Sequence, residues 1–434
     1  MQRNITAKLL AWKNQYNRKP LIVRGARQVG KSWSISAFGK QFFEGQLHVV
    51  NLEKRVDWHS IFERNLDAVR ILSELEIALN TRIEVGKDLL FIDEIQACPK
   101  AISSLRYFYE QIPDLHIIAA GSLLEFALED IPFPVGRVQM MNMHPMSFAE
   151  FLKAMGKERL AEIVESPPAE QAEFIHNLLQ EELKRYFFIG GMPECVGAFI
   201  NTGKMADVQQ VQTDLIETYR QDFSKYAPFS DKRCLNDVLF SVVGNVGQQI
   251  KYTRLSEDFS SPTNKKAFDL LTTARVVHKV RATSPSGLPL AASVSERKFK
   301  AILLDIGLLA RLSGLSLAVE YQKNQLLTLF KGALAEQFVG QELLANGQEN
   351  LFYWSRNAKS SNAEVDYLIA KDGKVIPIEV KNSAAGRLKS LHLLLNTYPN
   401  CEKGIVFSDA HFGEILEQKL VFLPLYFVGV VGTN

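Results

Sequence analysis

Two glycines, a lysine and a serine at Gly25-x-x-x-x-Gly30-Lys31-Ser32 are spaced for phosphate chemistry. In such a loop the backbone N–H groups cradle phosphates, Lys31 reaches the β- and γ-phosphates, and Ser32 ligates magnesium. Arg27 lies inside the loop and counts with the nucleotide-binding residues. Sixty-two residues beyond Lys31, the run LLFIDE (89–94) ends in Asp93 and Glu94. Asp93 is expected to hold the magnesium shell and Glu94 to polarise the attacking water, as in a nucleotide hydrolase rather than a kinase. Taken alone, an Asp-Glu pair after a strand also serves as a helix N-cap. LHIIAAGS (115–122) finishes in small and polar residues, leaving Ser122 either to sense the γ-phosphate or to satisfy a turn.

A second set lies near the carboxyl end: Glu336 in GALAEQFVGQELL, Asp366 in AEVDYLIA, and Glu379 and Lys381 in KVIPIEVKNS. Lys371-Asp372-Gly373-Lys374 reads as a hairpin turn, which brings Asp366 and Glu379 onto adjacent strands. Side chains two apart in a strand point together, so Glu379 and Lys381 share a face. Asp366 and Glu379 would bind magnesium, while Lys381 orients water or steadies charge on a phosphate. The same charges would equally form an internal ion pair in a fold kept for binding or assembly. Gly386-Arg387 and Lys389 open the next helix, where they would touch phosphate.

The elements that must position these residues follow from periodicity. PLIVRG (20–25) is an apolar run before the loop, and WSISAFGKQF after it suits a helix, giving the strand, loop, helix order that phosphate binding needs. Ligands then sit at the carboxyl edge of the strands. From about 150 to 220 the chain reads as amphipathic helices, a lid and linker bundle whose Met and aromatic residues are core. Residues 231–300 read as two helices and a Pro-Gly hairpin, the order of a winged helix.

Composition is that of ordinary soluble protein, 47% apolar and 23% charged, and 434 residues imply several domains. Fifty basic and 48 acidic residues give a net charge of +2, which excludes a whole-molecule preference for nucleic acid. Residues 231–300 differ, with 12 Lys or Arg against 6 Asp or Glu. Lys265 and Lys266, in the first turns of the second helix, and Arg281 beside the wing are the expected phosphate contacts. A solvated face on a domain used only for packing has the same charge. Residues 330–434 hold 10 basic and 11 acidic side chains, so DNA affinity would come chiefly from the winged helix. Cys98, Cys195, Cys234 and Cys401 are too scattered for a metal cage or disulfide framework, and the amino terminus lacks an apolar signal segment. Leu420 to Val431, interrupted by Pro424 and Gly429, is too short to span a bilayer and reads as a terminal buried strand. A cytoplasmic protein without membrane association is expected.

GARQVGKS, LLFIDEIQ, AAGSLL, GRVQMMNMHPMSFAEFL and YFFIGGMPE together resemble the prokaryotic AAA-type ATPases (AAA_14) that carry a DUF4143 carboxyl-terminal region. The resemblance covers nearly the whole chain. It implies ATP and Mg2+ as cofactors, a transition-state arginine at Arg137, and a helical and winged-helix region behind the nucleotide domain. Gly191-Met192-Pro193 is similar to a Gly-x-Pro turn that relatives hold near nucleotide, which puts Pro193 among the nucleotide-binding candidates, although glycine and proline also mark plain loops. An Arg137 acting in trans would imply a homo-oligomer. Ala120 stands where many relatives have threonine. The carboxyl-terminal residues resemble the PD-(D/E)XK nuclease and Holliday-junction resolvase fold, with Glu336 as the helical acid and Val365 in place of a proline.

The expected fold is α/β: a P-loop parallel sheet at 1–145, a helical lid and linker at 146–225, a winged helix at 226–315, and a PD-(D/E)XK-like α/β domain at 316–434. The implied function is an ATPase that binds DNA, branched DNA included, and cuts it with magnesium. The alternative is a nucleotide-switched interaction protein whose last domain binds without cutting.

Overall fold

A computed structural model describes the chain except residues 2, 123, 125–135, 169–171, 227–229, 315–331, 359–360, 382–387 and 433–434, and the side chains of 224–226, 297, 357–358 and 361. Gly386-Arg387 therefore lies outside the described residues. The chain forms two compact units, Met1–His144 and Pro145–Asn434.

The first unit is built on β1 (Leu21–Arg24), β2 (Leu47–Asn51), β3 (Leu89–Asp93), β4 (His116–Gly121) and β5 (Gln139–Asn142). All pair in parallel, in the order β2-β3-β4-β1-β5. β3 and β4 are buried along their whole length, as strands covered on both faces must be, which is why they read as unbroken apolar runs rather than alternating ones. The described helices are α1 (Ile5–Lys13), α2 (Lys31–Phe42), α3 (His59–Glu63), α4 (Ala68–Leu79) and α5 (Pro99–Gln111). Asp67 caps α4 by accepting from Arg70 N, and Asn80 ends it in the left-handed region. Ile71, Leu75, Ile102, Leu105 and Phe108 of α4 and α5 pack with Ile92 and Ile117 in one core.

The second unit carries the helices expected between 146 and 226: α6 (Phe148–Ala154), α7 (Glu158–Glu165), α8 (Glu173–Ile189), α9 (Pro193–Thr202) and α10 (Met205–Tyr226). α11 (Lys232–Gly244) and α12 (Ser261–Thr273) follow, then β6 (Val277–Ala282), β7 (Ser295–Leu303) and α13 (Ile306–Leu312). The chain ends with α14 (Ala333–Ala345), β8 (Leu351–Ala358), β9 (Ser361–Lys371), β10 (Lys374–Val380), α15 (Lys389–Thr397), β11 (Gly404–Ser408), β12 (Gly413–Ile415), β13 (Leu420–Pro424) and α16 (Val428–Gly432).

Two expectations change here. The helix, helix, hairpin order of a winged helix is present, but β6 pairs with β8 as well as with β7. The hairpin is thus the end of one eight-stranded sheet, β12-β13-β11-β10-β9-β8-β6-β7, and no separate sheet divides 226–315 from 316–434. A two-stranded wing is marginal by itself, and pairing its inner strand removes an exposed edge. The apolar run 420–431 is a strand only to Pro424, whose ring ends the ladder and turns the chain into α16.

α14 is the helix on which the second unit is assembled. It buries polar side chains as well as apolar ones, and Gln337, Gln341 and Glu342 find backbone partners. Gln337 exchanges hydrogen bonds with both N and O of Leu303, and Gln341 accepts from Ile306 N while donating to the Tyr186 hydroxyl. Gly340 lets the helix meet the sheet, since a Cβ there would lie 2.6 Å from the Tyr367 hydroxyl. Glu342 accepts from Phe148 N at 2.8 Å, satisfying an amide at the start of α6.

Glu342 is buried, and desolvation pushes its carboxyl up to about 8. A carboxyl raised on folding gives stability that is complete below its unfolded pKa and is lost as pH climbs through the folded value. Glu342→Gln keeps the acceptor for Phe148 and removes the charge. It should leave Tm unchanged at pH 5 and raise it at pH 8, by on the order of 1 kcal/mol or more of stability. Calorimetry showing the same Tm difference at both pH values would sink this assignment.

Candidate functional site

In the first unit the phosphate loop is set by its glycines. A Cβ on Gly25 would lie 2.2 Å from the Met143 carbonyl oxygen, so only glycine passes there. Gly30 has φ of 93°, left-handed, and turns the chain directly into α2 at Lys31. The first amides of α2 therefore face the loop without a side-chain cap, the arrangement that receives an anion. Lys31 is buried and its Nζ donates to the carbonyls of Gly25 at 2.9 Å and Ala26 at 2.7 Å, which holds the ammonium over the loop. Arg27 is half-buried at the crest of that loop.

β1, β3 and β4 end level with one another, with Arg24 opposite Gly121 and Ile92 opposite Ala119. This places Asp93 beside Ser32, whose Oγ donates to Asp93 Oδ1 at 2.9 Å. The other carboxylate oxygen accepts from Asn51 Nδ2 at 3.2 Å, a positioning residue on β2 that the sequence did not reveal. Burial pushes the Asp93 carboxyl up, and the hydrogen bond from Ser32 opposes it. Magnesium with oxygen ligands at about 2.0–2.1 Å has adjacent ligands roughly 2.9 Å apart, so Ser32 Oγ and Asp93 Oδ1 fit two neighbouring positions of such an ion.

Glu94 has φ of 50°, a left-handed conformation that costs a non-glycine residue about 1–3 kcal/mol and that clusters at functional sites. Its Oε2 accepts from Gln96 Nε2 at 2.5 Å. Gln96 in turn lies against Gly121, where a Cβ would come within 2.4 Å of its Oε1. Gln96 is thus a second positioning residue that only the fold reveals. Ser122, at the end of β4, has a buried Oγ without a hydrogen-bond partner among the described residues. That orphaned hydroxyl sits at the ligand edge, where the sensing role needs it. Arg137 is instead exposed and pairs with Glu110 of α5 at 3.0 Å, with the ring of Tyr109 beside it.

Pro193 belongs to the second unit and opens α9 as an N1 proline. Its turn is held locally. Gly190 has φ of 78°, and Gly191 N donates to the buried Asp305 carboxylate at 2.6 Å. Asp305 also accepts from Gly307 N and Leu308 N, and burial pushes it up to about 6.

The carboxyl-terminal set is brought together as expected, with one addition. Asp372 and Gly373 both take positive φ, 51° and 74°, so the β9–β10 connection is a two-residue turn of the type that matches strand twist. Asp366 Oδ2 accepts from Val380 N at 2.9 Å, and Lys381 pairs with Glu379 at 2.5 Å. The β8–β9 register slips by one residue between Phe352 and Trp354, a bulge that re-aims β9 where Asp366 and Tyr367 lie. Tyr367 donates its hydroxyl to Glu336 O at 2.8 Å.

The addition is Lys300 of β7, which is 1% exposed. Its Nζ lies 2.6 Å from Glu364, 2.9 Å from Glu336 and 3.4 Å from Asp366. Burial alone would lower the ammonium, but Glu336, Asp366 and Glu364 hold it well above the lysine range. Burial raises both Glu336 and Glu379, with Lys300 opposing the first and Lys381 the second. No group of three His, Cys, Asp or Glu among the described residues is arranged to hold a metal ion. Lys300 Nζ already stands within 3.4 Å of Glu336, Glu364 and Asp366, so the magnesium that the PD-(D/E)XK likeness implies does not fit among those three carboxylates while Lys300 occupies them.

Lys265 and Lys266 are exposed on the first half of α12, whose cap is Ser260, and Arg281 is half-buried on β6. Each lies where the sequence put it, in its own element. All four cysteines are buried and free, and no described helix is long and apolar enough to cross a membrane.

Three family models match the chain. Residues 17–152 match an AAA domain, 180–318 a domain of unknown function (DUF8612), and 331–428 a domain of unknown function (DUF4143). The DUF8612 match runs from α8 through α13, across the expected boundary between linker and winged helix. No curated protein matches. Among solved structures, the Walker-type ATPase paby2304 of Pyrococcus abyssi is 15% identical, with a TM-score of 0.45 over 71% of this chain and 94% of that one. The Thermotoga maritima RuvB Holliday junction branch migration motor is 16% identical, with a TM-score of 0.30 over 66% of this chain and 90% of its own. A Drosophila ORC bound to DNA is 11% identical, with a TM-score of 0.28 over 71% and 94%. The AAA-domain match spans the five-stranded parallel sheet and the Lys31, Ser32, Asp93 and Glu94 site. The chain carries an AAA-type P-loop ATPase domain at residues 17–152 and a DUF4143 region at residues 331–428.

Proposed function

We propose that the protein is a magnesium-dependent ATP hydrolase whose nucleotide cycle acts on a DNA-bound second unit. The observation that carries the first half is the contact of Ser32 with Asp93 at 2.9 Å beside the buried Lys31. Bound magnesium would supply charge neutralisation between the β- and γ-phosphates. Ser32 and Asp93 would hold it, the α2 amides and Lys31 would bind the phosphates, and Gly25 and Gly30 would let the backbone approach. Glu94, fixed by Gln96, takes a proton from the attacking water. Ser122 donates its unpaired hydroxyl toward the γ-phosphate. Arg137 would act after leaving Glu110, on a neighbouring copy's site in a homo-oligomer, and Pro193 would approach nucleotide through its turn.

DNA enters this reading through Lys265, Lys266 and Arg281, whose charge lies in a segment that is basic while the chain as a whole is nearly neutral. Such contacts are largely blind to sequence, so linear and branched DNA are both candidates. A magnesium-dependent cut by Asp366, Glu379 and Lys381, with Glu336 as the helical acid, is the reading drawn from the motif. The contacts of Lys300 favour the alternative, a nuclease-like module that binds without cutting.

Lys31→Ala should abolish ATP binding and turnover. Glu94→Gln should retain ATP binding while turnover falls by about 10²–10⁴-fold. A Glu94→Gln enzyme that turns over normally removes that residue from the mechanism. For DNA, Lys265→Ala/Lys266→Ala should reduce the slope of log K against log salt by about 2, read by fluorescence anisotropy on a duplex. An unchanged slope takes both lysines off the DNA. Incubation with linear and branched DNA, Mg2+ and ATP should leave the DNA intact. Cleavage that disappears in Glu379→Ala would restore the cutting reading.

A further inference from the structure

The second unit holds four acidic side chains in one cluster, Glu336, Glu364, Asp366 and Glu379, and two lysines among them. A lysine ammonium has three N–H donors. Lys300 meets three carboxylates at 2.6, 2.9 and 3.4 Å, so every donor has a charged acceptor. Two of the outer oxygens are also engaged, while Glu379 Oε2 is buried without a hydrogen-bond partner among the described residues. Glu364 Oε2 accepts from Gln249 at 2.9 Å, and Asp366 Oδ2 accepts from Val380 N at 2.9 Å. Glu336 Oε2 faces Gly247, where a Cβ would intrude to 2.7 Å. The fourth acid, Glu379, is neutralised separately by Lys381 at 2.5 Å.

We propose that Lys300 is a built-in counter-ion that takes the place of a divalent metal, so that this carboxylate cluster is metal-free by construction. The residue comes from β7, outside the motif that supplies the acids, and the side chain spans from the β6–β7 hairpin to α14 and β9. One ammonium therefore both offsets part of the negative charge of the three acids it meets and fastens the hairpin to the nuclease-like strands. This rests on the non-cutting reading of the second unit and is independent of the ATP site.

Removing the ammonium while keeping an apolar side chain of similar length should uncover a hard-oxygen site of three carboxylates, which suits Mn2+ or Mg2+. The experiment counts Mn2+ bound to the full chain by electron paramagnetic resonance without nucleotide. Four proteins are compared: the wild type, Asp366→Asn, Lys300→Met and the Lys300→Met/Asp366→Asn double variant. The wild type and Asp366→Asn should bind the same number of ions. Lys300→Met should gain one, which the double variant loses. An ion in the wild type that Asp366→Asn removes overturns the proposal, as does a folded Lys300→Met that gains none. If Lys300→Met fails to fold by circular dichroism, the wild type against Asp366→Asn still decides. Should the proposal fall, the assays with Lys31→Ala and Glu94→Gln report on the ATPase reading separately.

Discussion

An ionised side chain taken out of water costs several kcal/mol unless partners replace its hydration, and both units of this protein are arranged around that cost. In the first unit the buried charges at the phosphate loop are Lys31 and Asp93. Two loop carbonyls accept from the lysine, and a hydroxyl and an amide donate to the carboxylate. A carboxylate whose hydrogen bonds come from neutral dipoles remains open to a cation, which is what a magnesium site requires. In the second unit the buried Lys300 is ringed by three carboxylates, whereas Asp305 and Glu342 rest on backbone amides.

The same physics explains how the second unit holds together. α14 is buried on nearly all sides yet carries Glu336, Gln337, Gln341 and Glu342. Three of those polar groups serve amides that secondary structure leaves unpaired, Gln337 at Leu303 of β7, Gln341 at Ile306 where α13 starts and Glu342 at Phe148 where α6 starts, while Glu336 pairs with Lys300. A helix with only apolar residues would pack as densely but would leave those amides unsatisfied, at about 1–3 kcal/mol each. The cost appears in the titration of the acids, with Glu342 and Asp305 both raised by burial. Stability that falls as pH rises through the neutral range follows from that arrangement.

Much of this was legible from residue order. The P-loop declared itself because phosphate binding tolerates few alternatives to glycine at Gly25 and Gly30. Asp93 and Glu94 were marked by a fully apolar strand ending in two carboxylates, and the Asp372-Gly373 turn by its chemistry. Asn51 and Gln96 were not legible, because a single amide carries no periodic signal and acts only through a strand neighbour. The strand pairing that joins the hairpin to the carboxyl-terminal strands was not legible for a related reason. Helix and hairpin order is local, whereas the pairing of β6 with β8 joins Val280 to Leu351 across a long stretch of chain.

By itself, then, the sequence determined the phosphate loop, the acids at the strand edges and the turn that pairs Asp366 with Glu379, because each rests on residue types at short spacing. Only the tertiary structure decided what those acids face. Asp366 and Glu379, with Glu336 as the helical acid, look like a metal site when read along the chain, and a lysine from a strand more than 30 residues upstream of the nearest of them draws Glu336 and Asp366 into an ion-pair cluster with Glu364. The reason is that a carboxylate's chemistry is set by the nearest opposite charge in space, and nothing in the spacing of the acids specifies where Lys300 will lie.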